Sequence, residues 1–206
     1  MRVFITVLVL IFSLQSLSKA DDISNFEIEG MSVGNSLLDY FSREKIEQEK
    51  NSKYVYKYKD NRFFLLGIGD HNSFPLYKNL ESYDELGVVI KPKDKNYKIY
   101  SISGEIFCPK SIDICLSKKK KILSELKNVF GNKANFSSYV DPHKIDPSGN
   151  SIVYGSEFNL SNDNSVSVNV YEWSNELKNE KNYQDILKVS MSLKDYSDFI
   201  RYEAYK

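Results

Sequence analysis

The sequence predicts an α+β fold in which two α-β-β-β units share a mostly antiparallel sheet, with helices packed on one face and a further helix at the C-terminus. Two observations lead to this prediction. First, a segment whose apolar residues recur at helical spacing is followed by several segments in which apolar and polar residues alternate, as in a helix followed by strands. Second, this order occurs twice along the chain. The units cover about residues 30–107 and 108–206, within a single α+β domain of residues 21–206.

Residues 1–20 are predicted to form a cleavable signal peptide. Arg2 is followed by an uncharged apolar run over 3–12, and small residues flank Lys19 at Ser18 and Ala20. This run is shorter than the roughly 20 apolar residues that cross a bilayer. We therefore expect cleavage after Ala20, a periplasmic or secreted mature chain and no membrane span after cleavage. The alternative is that the segment remains as an anchor.

The first unit is predicted to begin with a helix over 32–42, capped by Ser32. The apolar residues of its stripe are Val33, Leu37, Leu38 and Phe41. Ser42 could cap a second short helix from Arg43 to Lys50, but a solvated surface turn is the favoured interpretation, because Ile46 is its only strongly apolar residue. Strands are expected near 54–67, 86–91 and 97–107, with a hairpin turn at Asp60 and Asn61.

The second unit is predicted to begin with a helix over 116–130 that ends at Gly131. Its apolar residues recur at helical spacing: Leu116, Ile122, Leu123, Leu126, Val129 and Phe130. Residues 132–150 are expected to form a long polar loop, and Asn175 to Tyr183 a polar linker. Strands are expected near 152–160, 165–173 and 187–193, followed by a helix from Asp195 to Tyr205.

Cys108 and Cys115 are the two cysteines of the chain. In an exported protein such a pair is most simply a disulfide. A metal or redox pair is the alternative, but the spacing is not C-x-x-C and no histidine lies nearby in sequence. We expect a structural disulfide at the start of the second unit.

Charge and motif content exclude several functional classes. The chain carries 28 basic and 28 acidic residues, so we expect neither nucleic acid nor an anionic membrane surface as a partner. The sequence contains no phosphate-binding loop, no complete dinucleotide-binding glycine motif, no nucleophile elbow and no calcium-loop pattern. We therefore expect no cofactor and no metal.

Two acidic residues paired with histidines are the candidates for acid/base chemistry. Asp70 precedes His71 on one predicted loop, and Asp141 lies two residues before His143 on another. Each pair could supply half of a metal or acid/base site. Histidines on loops are also commonly just solvated, so a catalytic role for these four residues is the less favoured interpretation.

Candidate binding residues come from a tyrosine-rich strand and a lysine run. Tyr54, Tyr56 and Tyr58 alternate with polar residues and would share one face of a strand. Lys118 and Lys119 belong to four consecutive lysines at the start of the second helix, where a bound anion would relieve their repulsion with the helix dipole. The alternatives are an ordinary half-buried sheet and a solvated helix face.

Two stretches resemble known families. Gly30, Met31 and Ser32, followed by Leu37 and Leu38, resemble the helix start of SmpA/BamE-type outer-membrane assembly proteins and their beta-lactamase-inhibitor-like relatives. That resemblance implies helices followed by antiparallel strands. The segment FEIEGMSVGNSLLDYF, together with the C-x6-C stretch and its helix, resembles a group of small exported proteins from marine alphaproteobacteria, for which no activity is implied.

These observations predict an exported, non-enzymatic protein that binds another protein or an envelope component, with an envelope protein as the candidate partner. Two alternatives stay open. One is a small periplasmic hydrolase that uses the loop Asp and His residues, and the other is a periplasmic inhibitor.

Overall fold

The computed structural model describes residue 23 and residues 26–53, 55–69 and 80–204. The predicted signal peptide lies outside these residues, as do Tyr54, Asp70 and His71. The helices of the described chain are α1 (Arg43–Lys50), α2 (Ile112–Phe130), α3 (Asn175–Lys181) and α4 (Lys194–Tyr202). The strands are β1 (Tyr56–Lys57), β2 (Phe64–Gly69), β3 (Glu85–Ile90), β4 (Ser101–Phe107), β5 (Ala134–Pro142), β6 (Ile152–Leu160), β7 (Ser165–Glu172) and β8 (Ile186–Ser192).

All eight strands form one antiparallel sheet in the order β1-β2-β3-β4-β8-β7-β6-β5. The α+β class, the antiparallel sheet and the C-terminal helix are therefore confirmed. The sheet joins the two halves of the chain through their last strands, β4 and β8, whose residues pair along their full length from Ser101 with Ser192 to Phe107 with Ile186. The seam between the units is thus a continuous ladder of backbone hydrogen bonds.

The main hydrophobic core lies between α2 and one face of the sheet. α2 buries Cys115, Ile122, Leu126 and Phe130. Every second residue of β7 and β8 faces these side chains because side chains alternate along a strand. The core residues of those two strands are Val166, Val168, Val170, Leu187, Val189 and Met191. The disulfide between Cys108 and Cys115 ties the end of β4 to the first turn of α2, so the predicted pairing is confirmed.

A smaller core lies on the opposite face, under α4. Phe199 of α4 packs with Tyr58, Phe63 and Val89, whereas the neighbouring Val88 belongs to the main core. Ile46 of α1 also joins the main core. The predicted arrangement with helices on one face therefore holds for α1 and α2, and α4 covers the other face.

The helix predicted over 32–42 is wrong. This segment contains only a 3-10 turn over Leu37–Asp39, and the first α-helix starts after Ser42. Gly34 has φ +90° and its N–H donates to Ile99 O, while the N–H of Leu37 donates to Tyr97 O. These amides pair with a distant segment, which removes them from a local helix.

Two segments predicted as irregular are regular. The predicted loop 132–150 contains the nine-residue strand β5, and the predicted linker contains α3, which Ser174 caps by accepting from the N–H of Leu177. α2 also begins at Ile112 rather than at residue 116, because Ser111 caps it. In the described part of the chain, no helix is both long and apolar enough to cross a membrane.

Candidate functional site

α4 covers only one end of the sheet face on which it lies. The hydroxyl groups of Ser197 and Ser165 are 2.8 Å apart, and Arg201 donates to Glu157 and Asn159 at 2.8 and 2.9 Å. These contacts place α4 over the start of β7 and the end of β6. We call the remaining part of this face, which no described helix covers, the open face.

Small residues line up across the middle of this sheet face. Five of them are paired directly from strand to strand: Gly67, Gly87, Ser103, Ser190 and Ser167. Two residues further along their strands, Glu105 and Lys188 form an ion pair, with Lys188 Nζ 2.8 Å from Glu105 Oε1. Burial alone would lower the pKa of the Lys188 ammonium group, but the Glu105 carboxylate and the phenol groups of Tyr171 and Tyr58 raise it overall.

Four aromatic rings meet at the end of the open face that is remote from α4. We call His143, Tyr171, Trp173 and Tyr183 the aromatic platform. The Trp173 ring centroid lies 4.6 Å from His143, 4.7 Å from Tyr183 and 5.9 Å from Tyr171, with which it is nearly parallel at 11°. The rings are half-buried. The platform therefore presents aromatic surface with polar tips.

Hydrogen bonds to two carboxylates fix the backbone around the platform. The N–H of Trp173 donates to Asp185 at 2.8 Å, and Lys178 Nζ lies 2.7 Å from the other Asp185 oxygen. Asp146 is buried and accepts hydrogen bonds from Ser148 and Ser151, which hold the pKa of its carboxyl group well below the usual range. A platform fixed in this way loses little conformational entropy when a ligand binds.

His143, a candidate for acid/base chemistry, has a packing role in the platform. Its Nδ1 accepts a hydrogen bond from the N–H of Ile145 at 3.1 Å. Burial lowers the pKa of the imidazole, although the Asp146 carboxylate opposes this shift. Within the described residues, no hydrogen bond or ion pair joins His143 to Asp141, which lies exposed on β5. The hydrolase hypothesis stays a prediction, since Asp70 and His71 lie outside the described residues.

The other candidate binding residues are spread over separate surfaces. Tyr56 is 52% exposed, whereas Tyr58 is buried under α4, where its hydroxyl group hydrogen-bonds to Tyr196.

The two candidate lysines lie on α2. Lys118 is exposed, and Lys119 is only 8% exposed with its Nζ donating to Tyr154 O. Lys119 is also one of the residues that line a surface groove of about 370 Å³. The groove is lined by Leu116, Lys119, Lys120, Leu123, Ser124 and Lys127. No three His, Cys, Asp or Glu side chains of the described chain gather as a metal site.

The sequence interpretation missed the platform. It assigned no binding role to Tyr171, Trp173 or Tyr183. Tyr171 and Trp173 are odd-numbered, so strict alternation from the buried valines directs them to the opposite face. Strict alternation was therefore the signal that could have identified these two rings.

Comparison with known proteins adds no relative. No protein-family model, curated protein or solved structure matches this chain. The family resemblances given above therefore stay predictions.

Proposed function

We propose that this is an exported, non-enzymatic protein that binds another protein or an envelope component through its aromatic platform and the adjoining open face. The observation that carries this proposal is the convergence of four aromatic rings around Trp173 at one end of a polar sheet surface. Aromatic side chains supply large contact areas and are enriched where proteins bind one another.

The surroundings of the platform support a binding role. Asp146 and Asp185 hold its backbone, so the rings are in place before a ligand arrives. Two ion pairs lie close to it, Lys178 with Asp185 and Lys188 with Glu105, and serine residues satisfy the Asp146 carboxylate. Because these charges neutralise each other, the surface favours a ligand that offers an apolar or planar group with hydrogen-bonding edges over a highly charged one.

Export of the protein is supported by the disulfide and by the absence of a membrane-spanning helix in the described chain, both of which are compatible with it. The predicted signal peptide would direct this export.

Capture of partners from an envelope extract tests the proposal. Tagged protein is compared with the Trp173→Leu variant and with Tyr202→Ala, which removes a 53% exposed aromatic side chain at the end of α4. We expect a partner, identified by mass spectrometry, that the parent and Tyr202→Ala capture and that Trp173→Leu loses. Matching circular dichroism spectra would show that the variants are folded.

Direct titration then tests binding at the platform itself. Trp173 is the sole tryptophan of the chain, so its intrinsic fluorescence reports on this site. When the partner contains tryptophan, the emission of the partner alone is subtracted. We expect the partner to shift the Trp173 emission with saturation. Equal capture by parent and Trp173→Leu, or saturable binding that leaves the emission unchanged, would contradict the proposal.

A further inference from the structure

β5 forms one edge of the sheet and is open to solvent over nearly its whole length. In the described chain it pairs with β6 alone. Eight of its nine residues are exposed. Long edge strands are usually protected by lysines, by bulges or by a covering element, because their free amide and carbonyl groups can pair with another strand. The segment from Ala134 to Val140 carries no charged residue that would provide such protection.

The same strand exposes unusually apolar side chains. Phe136 is 39% exposed, Tyr139 45% and Val140 63%. Phe136 and Val140 lie on the face that α2 covers elsewhere, but α2 packs mainly on β7 and β8 and leaves both side chains partly exposed. The Nζ of Lys127 lies 4.0 Å from the centre of the Phe136 ring. An exposed apolar edge of this kind indicates an interaction surface.

The direction of the free hydrogen-bonding groups follows from the pairing with β6. Immediately after β5, the N–H of His143 donates to Ser151 O at 2.7 Å. In antiparallel pairs the N–H and C=O of one residue point to the same side, and the side alternates from residue to residue. The even-numbered residues Phe136, Ser138 and Val140 therefore direct their backbone groups to the free edge. Pro142, which has no N–H, also occupies an even-numbered position, where no donor to β6 is needed.

β5 is complementary to itself when two copies run antiparallel with Ser138 on the two-fold axis. In this register Phe136 lies opposite the partner's Val140, which is a favourable aromatic and β-branched pair that the symmetry creates twice. Asp141 lies opposite the partner's Asn135, so no two like charges face each other. The geometry points to a symmetric dimer in which β5 of two copies pairs and extends the two sheets into one. This inference does not rest on the proposed function.

Light scattering coupled to size-exclusion chromatography tests the dimer. The purified mature protein is run from about 1 to about 100 µM, the range in which modest interfaces dissociate. We expect a dimer that Val140→Lys weakens about tenfold or more, because the symmetric interface loses two cross-strand pairs. The matched control is Ile114→Lys, which places the same charge at a 43% exposed position on α2. Since Val140 is exposed, its substitution should leave the monomer folded.

A mixing experiment tests the register. Phe136→Glu and Val140→Lys each disfavour their own homodimer. In the mixed dimer, however, the new glutamate lies opposite the new lysine, and the parent Phe136 lies opposite the parent Val140. Lys127 can also pair with the new glutamate within its own chain, which helps the monomer to accept it. We expect the mixture to associate more tightly than either variant alone.

Three results would overturn the inference. A parent protein that stays monomeric over the whole range would leave the edge to a strand of a different protein. A dimer that Val140→Lys and Ile114→Lys affect equally would place the interface elsewhere. A mixture no tighter than its separate components would exclude the pairing about Ser138.

Discussion

Lys188 and Glu105 face each other directly across the pairing of β8 with β4, with 2.8 Å between the ammonium nitrogen and a carboxylate oxygen. β4 and β8 are also the strands that join the two halves of the sheet. The ion pair therefore lies at the seam, on the open face, with its side chains 24% and 20% exposed. At this depth the loss of one partner leaves the other charge poorly solvated.

Lys188→Met should destabilise the protein by about 1–3 kcal/mol, between the costs typical of exposed and of fully buried pairs. The measurement is urea unfolding at pH 7. The folded-state pKa of Lys188 is raised. The contribution of its ion pair to the free energy of unfolding is therefore fully present below the unfolded lysine pKa of about 10.4, and it is lost only as pH rises through the folded-state pKa. The effect should thus be constant from about pH 6 to 9.

A double variant separates this ion pair from simple packing. Lys188→Met combined with Glu105→Gln removes both charges, so it should recover part of the stability that Lys188→Met loses. Lys194→Met provides the comparison, since its side chain is 51% exposed in its pairs with Asp163 and Asp198. A double variant as unstable as the sum of its single changes would show that the two charges are not coupled.

The disulfide between Cys108 and Cys115 should stabilise the protein by about 2–3 kcal/mol, the chain-entropy value for so short a loop. Both cysteines are buried, and Cys115 lies in the first turn of α2. We therefore expect native protein to show no reactive thiol, and the Cys108→Ala/Cys115→Ala variant to unfold at lower urea concentration. Equal unfolding midpoints with and without a reducing agent would contradict this prediction.

Lys119 gives the stability a distinctive pH dependence. Burial lowers the pKa of its ammonium group to about 8, below the unfolded value of about 10.4. Between these pH values the unfolded chain binds more protons than the folded one, so stability should rise as pH increases from about 8 to about 10. The rise in the parent protein relative to Lys119→Met should be roughly 1–3 kcal/mol.

Lys118→Met is the matched control for Lys119, because Lys118 is the exposed neighbour on the same helix. The stability of the Lys118→Met variant should show the same pH dependence as that of the parent protein. Side-chain NMR of Lys119 would measure its pKa directly. An ordinary lysine value there, or parallel stability curves for parent and Lys119→Met, would show that the buried amine is better solvated than its surroundings indicate.

Strands with one buried face were predictable from sequence, and the strand exposed on both faces was not. β6 matches the predicted range 152–160, and β7 and β8 differ by a residue at their ends. Each has a core face and a polar face, which produces alternation. β5 has no buried face, so its sequence shows no such contrast, and its Pro142 is more typical of a loop than of a strand.

The helix predicted over 32–42 and the aromatic platform show a different limit. The apolar residues of 32–42 do pack into the core, but the amides of Gly34 and Leu37 pair with Ile99 and Tyr97, a contact that no local pattern contains. The platform likewise joins His143, Trp173 and Tyr183 from three separate segments. Only the pairing of β5, β6 and β7 brings the first two of these segments together.

His143 should couple the aromatic platform to pH. Its Nδ1 accepts the N–H of Ile145, which requires an unprotonated nitrogen, and burial lowers the pKa of the ring below its ordinary value of about 6.5. Protonation therefore breaks this hydrogen bond and places a cation 4.6 Å from the centre of the Trp173 ring. The emission of Trp173 should change in a transition whose midpoint lies below pH 6.5.

The sign of the accompanying stability change follows from the same shift. Because the imidazole has the higher pKa in the unfolded chain, stability should fall as pH decreases through the range between the unfolded-state and folded-state pKa. Above that range His143 should not affect the pH dependence of stability. His143→Gln should abolish the fluorescence transition, whereas His71→Gln, which alters the other histidine of the chain, should retain it. An unchanged transition in His143→Gln would assign it to a carboxylate and would remove the imidazole from any pH response of the platform.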